Sequence, residues 1–69
     1  MLVIINGRNR EFPEFLDEAK LSEILVILGL KGDRVAIEHN GSIAPRPQWN
    51  IVSVLAGDRL EIVHFVGGG

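Results

Sequence analysis

The sequence predicts an α+β domain in which one main helix covers one face of a four- to five-stranded sheet. Leu21, Ile24, Leu25 and Leu28 recur at i, i+3, i+4 and i+7, a single apolar helical stripe. Asn6-Gly7 and Asn40-Gly41 each lie between short runs of strand-forming residues, which is the strongest short hairpin signal. The stretch from Leu60 to Val66 is rich in Leu, Ile, Val and Phe, residues that suit a pleated, half-buried surface. A hairpin, a helix and then further strands is an α+β order.

Taken in order, Leu2 to Ile5 is a β-branched strand closed by Asn6-Gly7. Arg8 to Phe12 returns antiparallel, and Pro13 ends it, because proline cannot donate to a ladder. Glu14 to Lys20 is polar and poorly patterned, so it reads as a loop leading into the helix. The helix begins near Leu21 and stops at Gly29, placed as a left-handed C-terminal residue, with Leu30 packing back on Leu25. Lys20 offers no capping oxygen at its start. Arg34 to Glu38 alternates as a strand, Asn40-Gly41 turns it, and Ser42 to Ala44 returns until Pro45. Pro45 to Trp49 contains two residues without an amide proton, so it is a loop, with one tight helical turn near Gln48 to Asn50. Ile51 to Leu55 reads as a brief strand or an extended segment, and Ala56-Gly57-Asp58 turns the chain into the last strand. The first and last strands are the most apolar and belong together at the sheet centre. Alternation and the helical stripe select Val3, Ile5, Leu21, Ile24, Leu25, Leu28, Val35, Ile37, Leu60 and Ile62 as the core.

Sixty-nine residues make one domain, which buries only about 60% of its unfolded surface, so an apolar core is needed. The chain is 46% hydrophobic, enough for one such core. It has no room for a large internal cleft, so a catalytic role would require a partner. With no cysteine, disulfides and thiolate metal sites are excluded, and a cytoplasmic location is expected. The net charge is −2 and the basic residues are scattered, which argues against nucleic acid. No apolar run approaches the roughly 20 residues of a membrane helix, and no signal peptide is evident. No G-x-x-x-x-G-K-[ST] loop is present to hold a nucleotide, and no bound cofactor or metal is expected.

The end of the chain is chemically distinct. Glycine lacks a Cβ and loses the most entropy when ordered, so order is expected to fail near Val66. Residues 1–66 then form the domain, and 67–69 a flexible glycine tail. Extended from Val66, a four-residue tail spans about 13 Å. It could enter a narrow site on another protein and present the α-carboxylate of Gly69. The same composition also suits a merely frayed chain end.

The whole chain resembles the ThiS family, the ubiquitin-like sulfur carriers of thiamin biosynthesis. The residues that carry the resemblance are Glu61-Ile62-Val63-His64-Phe65-Val66-Gly67-Gly68-Gly69, Val35-Ala36-Ile37-Glu38, Asn40-Gly41, Pro45-Arg46-x-x-Trp49 and Gly57-Asp58-Arg59. The resemblance implies a ubiquitin-like β-grasp fold with a mixed sheet. It implies that the chain is a protein co-substrate and not an enzyme. An E1-like, ThiF-like adenylyltransferase would use ATP and Mg²⁺ to activate the Gly69 carboxylate. Sulfur from a cysteine-desulfurase relay would convert it to a thiocarboxylate, and thiazole synthase (ThiG-like) would accept that sulfur. The absence of cysteine agrees with sulfur carried on the terminus. The small subunit of molybdopterin synthase, a ubiquitin-like modifier and a plain β-grasp binding module are the alternative readings.

If Leu60 and Ile62 point inward, Val63 and Phe65 point outward, with Ala36 on the same face. Val63, Phe65 and Val66 are therefore the expected partner-binding residues, and Gly67 and Gly68 thread the tail. Trp49 is expected as a packing lid and His64 as an ordinary strand residue. Arg46 needs no role beyond that of a surface arginine. Asp58 and Glu61 are candidates for pairing with a basic partner.

Overall fold

The structure is a computed structural model that describes residues 1–65. Asn6 and Gly7 both adopt positive φ, 51° and 80°, and fold β1 (Leu2–Ile5) onto β2 (Arg8–Glu11). Asn40 and Gly41, at 51° and 87°, do the same between β4 (Val35–His39) and β5 (Ser42–Ile43). Positive φ at both turn positions matches the twist of the flanking strands. The last strand, β7 (Arg59–His64), joins the two hairpins. It runs parallel to β1, with Ile5 opposite Leu60, and antiparallel to β4, with Ile37 opposite Ile62. The resulting mixed sheet has the order β2-β1-β7-β4-β5, which places the first and last strands together as expected.

The segment read as a loop between Glu14 and Lys20 ends in a strand. β3 (Glu18–Lys20) pairs antiparallel with β6 (Ser53–Leu55) in a separate two-stranded sheet. Only Ala19 of β3 is buried, so the segment carries no hydrophobic alternation to betray it. Its pairing with a distant partner makes it a strand.

The helix α1 (Leu21–Leu28) ends as its sequence suggests. Gly29 sits at φ 71°; its N–H donates to the Val26 carbonyl and the Leu30 N–H donates to the Leu25 carbonyl, both at 3.0 Å. That pair of bonds is a Schellman ending. At the other end Lys20 has no acceptor atom to offer. The Glu23 carboxylate accepts the Lys20 N–H at 2.8 Å, half of a capping box. The N–H groups of Leu21 and Ser22 donate instead to the carbonyls of Val52 and Trp49, each at 3.0 Å. The loop after Pro45 thus satisfies two donors that a capping side chain normally would. Its single helical turn spans Arg46–Gln48, two residues earlier than the sequence suggested. Pro47 fits there because first-turn amides have no partner within the helix.

Eight of the ten expected core residues are buried: Val3, Leu21, Ile24, Leu25, Val35, Ile37, Leu60 and Ile62. Ile5 and Leu28 are only half-buried, because one borders the hairpin turn and the other lies in the last helical turn. Phe12, Ala19, Ala44, Trp49 and Val54 complete the core from short or irregular segments. Trp49 is the expected lid, with its indole N–H donating to the Ala44 carbonyl at 2.7 Å. That bond satisfies the one polar atom an indole brings into a core. A Cβ at Gly32 would lie 3.0 Å from the same ring, so glycine there leaves room for it.

Just before β7, Asp58 is engaged within the chain, contrary to the expectation that it pairs with a partner. Its Oδ2 accepts the Leu55 N–H at 2.9 Å and meets His39 Nε2 at 2.8 Å. Burial alone would raise its pKa. The Leu55 amide, the contacts with His39 and Asn40 and the histidine charge outweigh burial and hold the carboxyl below the usual carboxylate range. A depressed carboxyl contributes stability above its unfolded value and loses that contribution as pH falls through the folded value. Asp58→Asn is therefore expected to cost about 1–3 kcal/mol near neutrality, and progressively less only in acid, where the carboxyl takes up its proton. Urea midpoints measured from pH 7 down to pH 2 test this: the wild-type and variant curves should converge in acid. Curves that stay parallel would assign the loss to something other than the charge.

Candidate functional site: the outer face of the last strand

Period two sorts β7 cleanly. Leu60 and Ile62 enter the core, while Glu61 and Val63 face out. β4 follows the same rule, with Val35 and Ile37 buried and Ala36 and Glu38 exposed. The register sets Ala36 opposite Val63 and Glu38 opposite Glu61. Val63 and Phe65 are 57% and 58% exposed, as strand alternation predicts. Pairing extends one residue past β7, because the Phe65 N–H donates to the Arg34 carbonyl at 2.8 Å. The strand is therefore held in place up to the last residue described.

Ile43 widens the apolar face. It is 78% exposed and lies opposite Glu38, on the same side as Ala36 and Val63. It was missing from the expected partner surface, although the two-residue turn at Asn40-Gly41 fixes its register and period two would have found it. The face offers four apolar side chains around two carboxylates, Glu38 and Glu61. Large apolar residues exposed together mark interaction surfaces more often than isolated ones do.

The side chains here supply no acid–base pair. His64 is exposed at the end of β7, an ordinary strand position, and His39 is occupied by Asp58. Among the described residues no group of three or more His, Asp or Glu side chains could hold a metal. No helix among them is long and apolar enough to cross a membrane. The expectations for Val66, Gly67, Gly68 and Gly69 fall outside the described residues.

The sequence model of the ThiS family matches residues 3–69. The chain is 31% identical over 65 residues to the sulfur carrier protein ThiS of Bacillus subtilis, covering 94% of this chain and 96% of that one. It is 43% identical over 70 aligned positions to a thiazole synthase of Paramagnetospirillum magneticum, covering all of this chain but only 20% of the relative. The chain thus spans about a fifth of that relative's length. Its fold matches the crystal structure of the thiamine biosynthesis protein ThiS from Geobacter metallireducens, with TM-score 0.85, 27% identity and full coverage of both chains. That match is to a ubiquitin-like β-grasp, the fold class expected from the sequence.

Proposed function

Because the chain belongs to the ThiS family, we propose that it is a sulfur carrier whose reactive group is the α-carboxylate of Gly69. The observation that carries the proposal is β7 itself. The strand that exposes Val63 and Phe65 leads directly in sequence into Gly67-Gly68-Gly69. Docking that face would bring the end of the chain to a partner's active site.

A carboxylate is a poor electrophile and must be activated. A ThiF-like adenylyltransferase, using ATP and Mg²⁺, provides this. One Gly69 carboxylate oxygen attacks the α-phosphorus, pyrophosphate leaves, and an acyl-adenylate forms. A sulfur nucleophile, supplied through a cysteine-desulfurase relay, then attacks the carbonyl carbon and AMP leaves. The attacking atom is the outer sulfur of a relay persulfide, so the acyl group is first joined to the relay by a sulfur–sulfur bond. A second thiol attacks the relay-side sulfur, supplies the two electrons as it becomes a disulfide, and releases the thiocarboxylate, which passes its sulfur to thiazole synthase. The chain is a co-substrate of both enzymes. Gly67 and Gly68 thread the tail, because a Cβ would crowd a narrow channel and restrict φ. The thiazole synthase relative supports the link to that partner, since it includes a segment similar to this whole chain.

The test is an intact mass after incubation with the adenylating enzyme of the same organism, ATP, Mg²⁺ and a sulfur source. One sulfur-for-oxygen exchange is expected, placed on Gly69 by fragmentation. An unchanged mass with an enzyme that activates its other substrates would refute the reading.

Docking has its own test. Phe65→Ala removes an exposed ring, so the fold should keep its urea midpoint. The variant is expected to lose about 1–2 kcal/mol of binding to each partner. Titration calorimetry with both enzymes checks this, and an unchanged Kd for both would remove Phe65 from the interface.

A further inference from the structure

Both Asn-Gly turns do more than reverse the chain: each reaches across to β7. On the β1 side the parallel ladder runs from Ile4, whose N–H donates to the Asp58 carbonyl, to Asn6, whose N–H donates to the Leu60 carbonyl, both at 2.9 Å. There the backbone turns away, with Asn6 at φ 51°. The backbone of the first hairpin can no longer reach Ile62, whose N–H and C=O lie next along the ladder. The Asn6 side chain fills the gap. Its Oδ1 accepts the Ile62 N–H at 2.7 Å and its Nδ2 donates to the Ile62 carbonyl at 3.1 Å. A carboxamide carries one acceptor and one donor group in a plane, as a peptide does. Asn6 thereby adds one rung to the ladder without lengthening the strand.

Few residues could do both jobs. Glycine accepts positive φ but has no side chain to offer. Aspartate tolerates the turn but, when ionised, has no donor for the Ile62 carbonyl. Among the described residues this rung is the furthest tie along β7 on the β1 edge. The β4 edge continues to Phe65 through the Arg34 carbonyl. Asn40 is the counterpart on that edge, but at the opposite end of the strand. Its N–H donates to the Arg59 carbonyl at 2.8 Å, and its Oδ1 accepts the Arg59 N–H at 2.9 Å.

We propose that Asn6 is a positioning residue for the terminal carboxylate: its carboxamide rung at Ile62 sets the direction in which β7 delivers residues 66–69 to the adenylating partner. The role rests on the sulfur-carrier reading. Asn6 touches no reacting atom and acts through the aim of the strand. Asn40 supplies a matched comparison, with the same turn and similar bonds at the end remote from the tail.

The experiment compares wild type, Asn6→Gly, Asn6→Asp and Asn40→Gly. ATP–pyrophosphate exchange with the adenylating enzyme gives kcat and KM for each, and amide hydrogen exchange reports on Ile62 and Arg59. Both Asn6 variants should lower kcat by about 10- to 100-fold with KM little changed, since small misplacements of a reacting group cost that much. They should also deprotect the Ile62 amide. Asn40→Gly should deprotect Arg59 and leave kcat near wild type, even where it destabilises the fold comparably. An equal kcat in all four chains would overturn the role, as would an Asn40→Gly defect matching that of Asn6→Gly. A wild-type Ile62 amide that exchanges like an open turn amide would overturn the rung itself, and that measurement needs no variant to fold. A wild type that is never adenylated sinks the sulfur-carrier reading and the positioning role with it. Protected Ile62 would then show the rung to be structural only.

Discussion

A chain shortened by Gly69 is expected to be adenylated about 100-fold more slowly than the full chain, even though it still ends in two glycines. The argument is one of reach. One extended residue spans about 3.3–3.6 Å, so the new carboxylate stops that far short of the nucleotide's α-phosphorus. The body cannot slide forward to compensate if Val63 and Phe65 are docked, because β7 is held rigidly behind them. Its pairing with β4 runs from Leu60 to His64 and is extended by the Phe65–Arg34 hydrogen bond. Single-turnover adenylation followed by intact mass gives the rate directly. A normal rate from the shortened chain would mean that tail length does not position the reaction. The loss should exceed that of Phe65→Ala, which weakens docking but leaves the reactive group at its proper distance.

Leu25→Ala is expected to have the largest effect on the fold, a loss of about 2–5 kcal/mol. Leu25 is 4% exposed and belongs to the single core cluster. Domains have only about 5–15 kcal/mol in total, and one this small lies toward the lower end, so the variant should be partly unfolded at 37 °C. Each kcal/mol corresponds to roughly 4–8 °C in Tm at this size. The neighbouring residue provides the control. Val26 is 77% exposed, and alanine is the better helix former, so Val26→Ala should leave Tm unchanged or slightly raised. Equal losses from the two substitutions would show that burial of Leu25 does not set the stability of α1.

The parts of the fold legible in the sequence are those with a strong local signal. The two Asn-Gly turns, the stripe of α1 and its Gly29 ending all lie where the pattern puts them. The parts that were not legible depend on partners distant in the chain. Glu18-Ala19-Lys20 is a strand only because Ser53 to Leu55 lies beside it. Lys20 can start a helix only because Trp49 and Val52 lend their carbonyls. Phe12 and Val54 enter the core from positions with no periodic neighbours. At the candidate site, alternation along β7 was enough to place Val63 and Phe65. The tie between Asn6 and Ile62 was not visible, because it joins residues near opposite ends of the chain. Asp58 was misjudged for a similar reason. Charge near the site suggested an outside partner, and its true partner, His39, comes from β4.

The place of β7 in the sheet governs how the protein can be made. On the ribosome, synthesis reaches residues 59–64 only after every other strand has been built. Until then β1–β2 and β4–β5 are two separate hairpins, because β7 alone links them. Isolated two-stranded hairpins are marginal at best in water. The emerging polypeptide therefore has no finished sheet to rest in, and folding waits for the segment that also carries the candidate docking face. A ribosome that stalls early leaves a product without β7, unable to complete the sheet or to present Val63. Completing the sheet and completing the candidate docking face are thus one and the same event.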